Sequence, residues 1–270
     1  MPRLPFAHAI ITGASSGIGA ALAVRLAAEG VQSMALVARR EDRLSAVADD
    51  LPLPATVIPA DLTTAEGRAQ VMTAVPSTDL LVHCAGFASF GPFHTLPAGR
   101  EVDMVRLNCL APIALTAHYL PGMVAQGSGA ILNIASGQSF QAMPFMSTYA
   151  ATKAFLLHWA EGVRAELRGT GVRMVTVCPG AIATEFNQAA DIPEADLGVM
   201  SLVTGSLDGV LDAAVAGLSH DRGMQVPGVR NRLATTFGRL SPRGISAWFL
   251  AQLLRNSANR LTGPRDPSAR

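Results

Sequence analysis

A chain of 270 residues, 49% of them apolar and 15% charged, has enough material for one large domain with a buried core. A net charge of +1 supplies no global field that would recruit nucleic acid or membrane. Cys84, Cys109 and Cys178 lie far apart, without CxxC or metal-ligand spacing, and read as reduced thiols of a cytoplasmic protein that holds no metal. The apolar run from Ala7 to Ile11 is too short for the core of a signal peptide, and no segment has 18 unbroken apolar residues.

Short apolar runs alternate with helical patterns along most of the chain. Strands are expected at Ala9–Thr12, Met34–Ala38, Thr56–Pro59, Leu80–His83, Ala130–Ala135 and Arg173–Cys178. Between them, helical spacing marks Ile18–Glu29, Arg43–Leu51, Ala65–Ala74, Glu101–Gln126 and Tyr149–Arg168. Continuously apolar strands separated by helices predict an α/β fold: a doubly wound parallel sheet with helices on both faces. Residues 185–206 break the alternation and read as a lid. Ser206 then caps a helix over Leu207–Leu218, and a last strand lies near Met224–Pro227.

Residues 1–228 are thus expected to form one nucleotide-binding catalytic domain, with 229–270 as a helical extension. From Arg222 to Arg270 there are nine arginines and one acid, Asp266, with Leu233, Phe237, Leu240, Ile245, Trp248, Phe249, Leu250, Leu253 and Leu254 interleaved. Pro242 and Gly244 split the segment into two pieces. Leu250 and Leu254 lie away from the face of Ile245 and Phe249, and apolar residues on more than one face favour burial against protein over a membrane surface. The tail is expected to pack on its own subunit or a partner subunit and to help close a pocket.

The first strand runs into Thr12-Gly13-Ala14-Ser15-Ser16-Gly17-Ile18-Gly19. Glycines at a strand-to-helix turn let backbone approach a pyrophosphate, whose charge suits the helix N-terminus. The spacing is Gly-x-x-x-Gly-x-Gly rather than the commoner Gly-x-Gly-x-x-Gly. Arg39-Arg40 follow the second strand, where an acid would hold ribose hydroxyls and arginine accommodates a 2′-phosphate. This favours NADP over NAD.

Lys153 is the one lysine among 21 basic residues, which suggests a need for a compact charge with a shiftable pKa. It lies one helical turn beyond Tyr149, on the same face. A tyrosine of pKa ~10 must be lowered by ~3 units, roughly 4 kcal/mol, to act as a base near neutrality. An ammonium ~4 Å away at an effective dielectric of ~20 supplies on the order of 4 kcal/mol. Ser136 ends the fifth strand, where a hydroxyl points into the crevice of such sheets and could hold a substrate oxygen.

Together these motifs, with Asp61-Leu62, Cys84-Ala85-Gly86, Asn108 and Pro179-Gly180, resemble the short-chain dehydrogenase/reductase superfamily in order and spacing over residues 7–184. The resemblance implies a role for each position. Gly13, Ser15, Ser16, Gly17, Ile18 and Gly19 would form the pyrophosphate turn, and Asp61 and Leu62 would lie against the adenine. Ala85 and Gly86 would sit beside the cofactor, and Pro179, Gly180, Ile182 and Thr184 near the nicotinamide. Tyr149 would pass the proton, Ser136 would hold the carbonyl, and Lys153 would bind the nicotinamide ribose and lower the tyrosine pKa. Asn108 would hold a water linking Lys153 to solvent. One departure is Cys84, where the family has Asn, which puts local rigidity in question. Such relatives are commonly homodimers or homotetramers.

Phe87, Phe90, Phe93, Phe140, Phe145 and Phe186 fall in segments expected to rim the crevice, with Met143, Met146 and Met200 nearby. Such a lining suits an apolar or aromatic carbonyl. The expected reaction is hydride transfer between NADPH and a ketone or aldehyde. The alternatives are a 3-oxoacyl-carrier reductase, which arginines near the site would favour, and a non-catalytic NADP-binding sensor, which the intact Ser136, Tyr149 and Lys153 argue against.

Overall fold

The apolar runs are the strands of one sheet: β1 (His8–Thr12), β2 (Ser33–Ala38), β3 (Ala55–Pro59), β4 (Leu80–His83), β5 (Gly129–Ile134), β6 (Val172–Val177) and β7 (Met224–Gln225). Every neighbouring pair is parallel, in the order β3-β2-β1-β4-β5-β6-β7. The computed structural model describes residues 4–182, 186, 205–241 and 243–262, the side chains of 243 and 256–262 excepted. The described helices are α1 (Gly17–Ala28), α2 (Glu41–Asp49), α3 (Ala65–Ala74), α4 (Ala98–Val105), α5 (Ala111–Gln126), α6 (Ser147–Glu166), α7 (Leu207–His220), α8 (Val229–Leu240) and α9 (Arg243–Thr262). The fold is a doubly wound, Rossmann-type α/β sheet with helices at its C-terminal end.

Successive strand residues face opposite sides, so the sheet builds two cores. Ile11, Leu36, Val82, Leu132 and Val175 pack with Leu22 and Leu26 of α1 and with Val210 and Leu218 of α7. On the other side Ile10, Val37, Leu81, Ile131 and Met174 meet Val71 of α3, Leu115 and Met123 of α5, and Ala160 of α6. Two covered faces explain why these strands are largely apolar on both sides instead of alternating, with polar residues such as His83, Asn133 and Thr176 as buried exceptions. Strand order reverses direction at β1 and β4, and a crevice opens beyond the carboxyl ends of these strands.

The single helix expected over Glu101–Gln126 is three pieces. α4 begins earlier, a π-helical turn follows over Arg106–Leu110, and α5 completes the run. Pro112 accounts for the interruption. It has no N–H to offer the Asn108 carbonyl, and its ring crowds that oxygen in α-helical register. Ser206 does cap α7, its hydroxyl accepting from the Gly209 amide at 3.1 Å. The lid expectation over 185–206 lies, except for Phe186, Gly205 and Ser206, outside the described residues.

Candidate active site

The site begins at the turn between β1 and α1. Gly13 has φ +71°, and a β-carbon there would stand 2.8 Å from the Ala85 backbone. A β-carbon on Gly19 would stand 2.2 Å from the Gly13 carbonyl oxygen. Only hydrogen at these positions lets the turn close against the end of β4. No side chain caps α1 at Ser16, so its N-terminal amides and dipole are offered to the crevice that Ser15, Ser16, Gly17, Ile18 and Gly19 line. Arg40 reaches over this turn and donates to the hydroxyls of Ser15 at 3.1 Å and Ser16 at 3.0 Å. Arg39 and Arg40 are both exposed and line the same end of the crevice.

Asp61 and Leu62 close this end. Burial alone would raise the Asp61 carboxyl, but the Thr63 amide at 2.9 Å, the Thr63 hydroxyl at 2.8 Å and the charge of Arg39 together hold it below its usual value. Asp61 is therefore an anion already occupied by Thr63.

Thr12, to which the sequence reading gave no role, braces the end of β4. Its buried hydroxyl donates to the Val82 carbonyl at 2.9 Å and accepts from the amides of Cys84 at 3.1 Å and Ala85 at 3.2 Å. This answers the question raised by Cys84: the strand ends are tied by Thr12, and Cys84 contributes a small apolar group. Burial pushes the Cys84 thiol up to about 12, so it stays neutral. The signal in the sequence was Thr12 itself, a lone hydroxyl at the end of an apolar strand.

Ser136, Tyr149, Lys153 and Asn108 converge below this brace. Ser136 is held by its own turn, its hydroxyl accepting from the Gln138 amide at 3.1 Å. The Gly137 amide donates to the Pro179 carbonyl at 2.6 Å, which ties the segment after β5 to the one after β6. The Lys153 ammonium donates to the Ile134 carbonyl at 2.7 Å and lies 5.8 Å from the Tyr149 ring centroid. A β-carbon on Gly86 would meet the Asn108 amide oxygen at 3.0 Å and the Lys153 ammonium at 3.5 Å. Asn108 donates to the Phe87 carbonyl at 3.1 Å and to the Thr152 hydroxyl at 3.0 Å, and accepts from the Phe87 amide at 3.3 Å. Its side chain therefore fastens the loop after β4 to α6. Both side-chain donors of Asn108 are thus engaged within the protein.

One electrostatic expectation is corrected. Burial pushes the Tyr149 phenol up to about 12, although a hydrogen bond with Ser136 pulls it down; Lys153 does not lower it. The lysine is turned to Ile134, and its own pKa is lowered by burial. Desolvation of the buried phenol is the dominant effect and sets the direction of its shift. In the protein alone Tyr149 is a neutral acid, the form that can give up a proton.

Beyond Tyr149 the crevice, about 890 Å³ in all, becomes apolar. Phe87, Met143, Met146 and Phe186 line it, with the Phe186 ring centroid 5.4 Å from that of Tyr149. The other aromatic expectations are corrected. Phe90 and Phe145 are packed in the cluster beneath, Phe93 is 65% exposed, and Phe140 lies under the Arg239 guanidinium at 5.6 Å. Thr184 and Met200 lie outside the described residues. Pro179, Gly180 and Ile182 do line the crevice. Phe145 has φ +66°, costly for a bulky side chain, and its carbonyl is held by the Gly91 amide at 2.9 Å.

The C-terminal helices complete this end. Asn231 is buried and donates to the carbonyls of Cys178 at 3.1 Å and Pro227 at 3.3 Å, docking α8 behind Ser136. Leu254 of α9 is 1% exposed among Ala88, Met104, Met146 and Tyr149. Phe237, Ile245, Trp248 and Phe249 form part of the crevice wall. Among the described residues no group of acids, histidines and cysteines could hold a metal.

A parallel sheet with a glycine-rich first turn and a Ser, Tyr and Lys cluster defines a class of nucleotide-dependent enzyme. Residues 7–195 match the short chain dehydrogenase family, to which the chain belongs. It is similar to a short chain dehydrogenase of Pseudocercospora fijiensis, 32% identical over 68% of this chain and 62% of that protein. In structure it resembles a short-chain dehydrogenase from Sphingobium yanoikuyae in complex with NADPH, with 30% identity, a TM-score of 0.75, and 97% of this chain and 98% of that one covered. It also resembles the bulky-bulky ketone specific alcohol dehydrogenase from Comamonas testosteroni, with 27% identity, a TM-score of 0.69, and 97% and 96% covered. The protein is an NAD(P)-dependent oxidoreductase of this family.

Proposed function

We propose that the protein is an NADPH-dependent reductase of apolar or aromatic ketones and aldehydes. One observation carries this reading: a single crevice runs from the Arg39-Arg40 pair, past the Tyr149 phenol, to a wall of aromatic and aliphatic side chains. Arg39 and Arg40 would hold the adenosine 2′-phosphate, and the turn from Gly13 to Gly19 the pyrophosphate. Asp61, Leu62, Ala85, Gly86, Pro179, Gly180, Ile182 and Thr184 would flank the rest of the nucleotide. The bound nicotinamide supplies the hydride.

Tyr149 gives its proton to the developing alkoxide, for which a phenol neutral at working pH is the right starting state. Ser136 offers its hydroxyl to the same oxygen. Lys153 holds a ribose hydroxyl, and Asn108 positions the loop of Phe87 and the helix of Lys153. Residues 1–228 act as the catalytic domain, and 229–270 finish its substrate end.

The 3-oxoacyl-carrier alternative gains no support, because among the described residues no arginine lines the crevice beyond Tyr149. We place the enzyme in the cytoplasm, in keeping with three free thiols. A homodimer or homotetramer accords with exposed Val102, Val105, Leu110 and Ile113 along α4, the π-turn and α5. A panel of bulky, aromatic and small charged carbonyls, assayed by NADPH absorbance, tests the proposal. Turnover confined to small charged carbonyls, or dependent on NADH alone, would defeat it.

A further inference from the structure

α8 and α9 each have one face seated on the domain and one facing outward. Asn231, Thr235 and Gly238 of α8, and Ser246 and Leu254 of α9, are buried. On the outward side of α8, Val229, Leu233, Phe237 and Leu240 recur at helical spacing and are 67–80% exposed. On α9, Ile245, Trp248, Phe249 and Leu253 are 42–64% exposed, on the side away from Leu254. Leu250 and Leu254 were the residues whose separate face suggested burial against protein. They are indeed turned inward, and among the described residues nothing covers the other apolar face. Phe237, Ile245, Trp248 and Phe249 share one wall of the crevice, so the two outward faces meet there.

Charge identifies the occupant. Residues 229–262 contain six arginines and no aspartate, glutamate or lysine. Arg230, Arg232, Arg239 and Arg255 are exposed beside the apolar stripe. A second copy related by a two-fold axis would set this cationic face against itself. An anionic lipid surface accepts both parts, aromatic and aliphatic groups into the headgroup boundary and guanidinium groups onto phosphates. Among the described residues no helix is long and apolar enough to cross a membrane.

We propose that the outward face of α8 and α9 docks on an anionic bilayer. The docking stands independently of the reaction assigned above. Its consequence, that the crevice mouth rests on lipid and receives an apolar carbonyl from it, depends on that reading.

The test is sedimentation of the full chain with phosphatidylcholine vesicles, with and without phosphatidylglycerol. The protein is expected to pellet with the anionic vesicles at least tenfold more than with neutral ones. Leu233→Glu with Leu240→Glu, at sites 67% and 80% exposed and outside the crevice, is expected to abolish pelleting while the melting temperature holds. Arg230→Gln with Arg232→Gln is expected to weaken partitioning roughly fivefold per residue. Failure to pellet, equal pelleting with both vesicles, or full pelleting of the Leu233/Leu240 variant would overturn the proposal. So would a fall in oligomer size in that variant, which would assign the face to a second copy.

Discussion

Lys153 gives its hydrogen bond to the Ile134 carbonyl at 2.7 Å, while its ammonium lies 5.8 Å from the Tyr149 ring centroid. The lysine is held by the end of β5, the strand that also delivers Ser136. Its geometry therefore depends on that strand as much as on the helix it shares with Tyr149. Lys153→Met is expected to lower kcat at least ~10²-fold and to weaken NADPH binding as well. Lys153→Arg should not rescue it, since a planar guanidinium does not reproduce the compact ammonium held by the Ile134 carbonyl beside Gly86. Steady-state kinetics with a fluorescence titration of NADPH will separate the two effects; full activity of Lys153→Arg would refute this placement.

Cofactor choice rests on Arg39 and Arg40. Arg39→Asp places a carboxylate where the 2′-phosphate would lie, and should weaken NADPH binding by at least ~10-fold while leaving NADH binding similar or better. Dissociation constants for both nucleotides, measured on wild type and variant, decide the matter. Equal affinity of the wild type for the two would remove the basis of the assignment.

His83 supplies a pH dependence of stability. It is 3% exposed at the end of β4, shares a 3.0 Å hydrogen bond with Thr116, and burial lowers its pKa to about 3. The unfolded chain binds a proton near pH 6.5 and the folded one does not until about pH 3. Stability from His83 is therefore intact above pH 6.5 and lost as pH falls towards 3, by about 2 kcal/mol at pH 5. Denaturant melts at pH 7 and pH 5 should show the loss in wild type and a smaller one in His83→Gln. Equal slopes in both proteins would mean that other groups govern acid unfolding.

Much of this architecture was legible because strands covered on both faces must be largely apolar, and β4 and β5 read that way except at the buried His83 and Asn133. The glycine-rich turn and the pairing of Tyr149 with Lys153 were legible for a similar reason: local spacing dictates them. The π-turn was missed because its cause, Pro112, acts on a carbonyl four residues back and leaves the apolar periodicity almost unchanged. The raised phenol of Tyr149 was missed because spacing brings an ammonium near but says nothing of desolvation. In the tail, two apolar faces were visible, yet only tertiary packing decides which one turns inward. Asn231, an amide among arginines and leucines, was the overlooked clue to that docking.

Asn231 also offers a test of how the tail serves the site. Asn231→Leu leaves the Cys178 and Pro227 carbonyls without their donor, at a cost of ~1–3 kcal/mol in stability. Because α8 lines the substrate end, KM for a bulky ketone should rise more than kcat falls. A variant destabilised to this degree yet kinetically identical to wild type would show that α8 is only structural support.

The most direct measurement is single-turnover reduction of a bulky aromatic ketone by the Tyr149→Phe variant with saturating NADPH. Removing the hydroxyl takes away the proton donor and leaves the ring packed against Phe186. The hydride-transfer rate should fall at least ~10²-fold while NADPH affinity stays within about twofold of wild type. A correctly folded variant that reduces the ketone at a near-normal rate would contradict the assignment of Tyr149 as the acid.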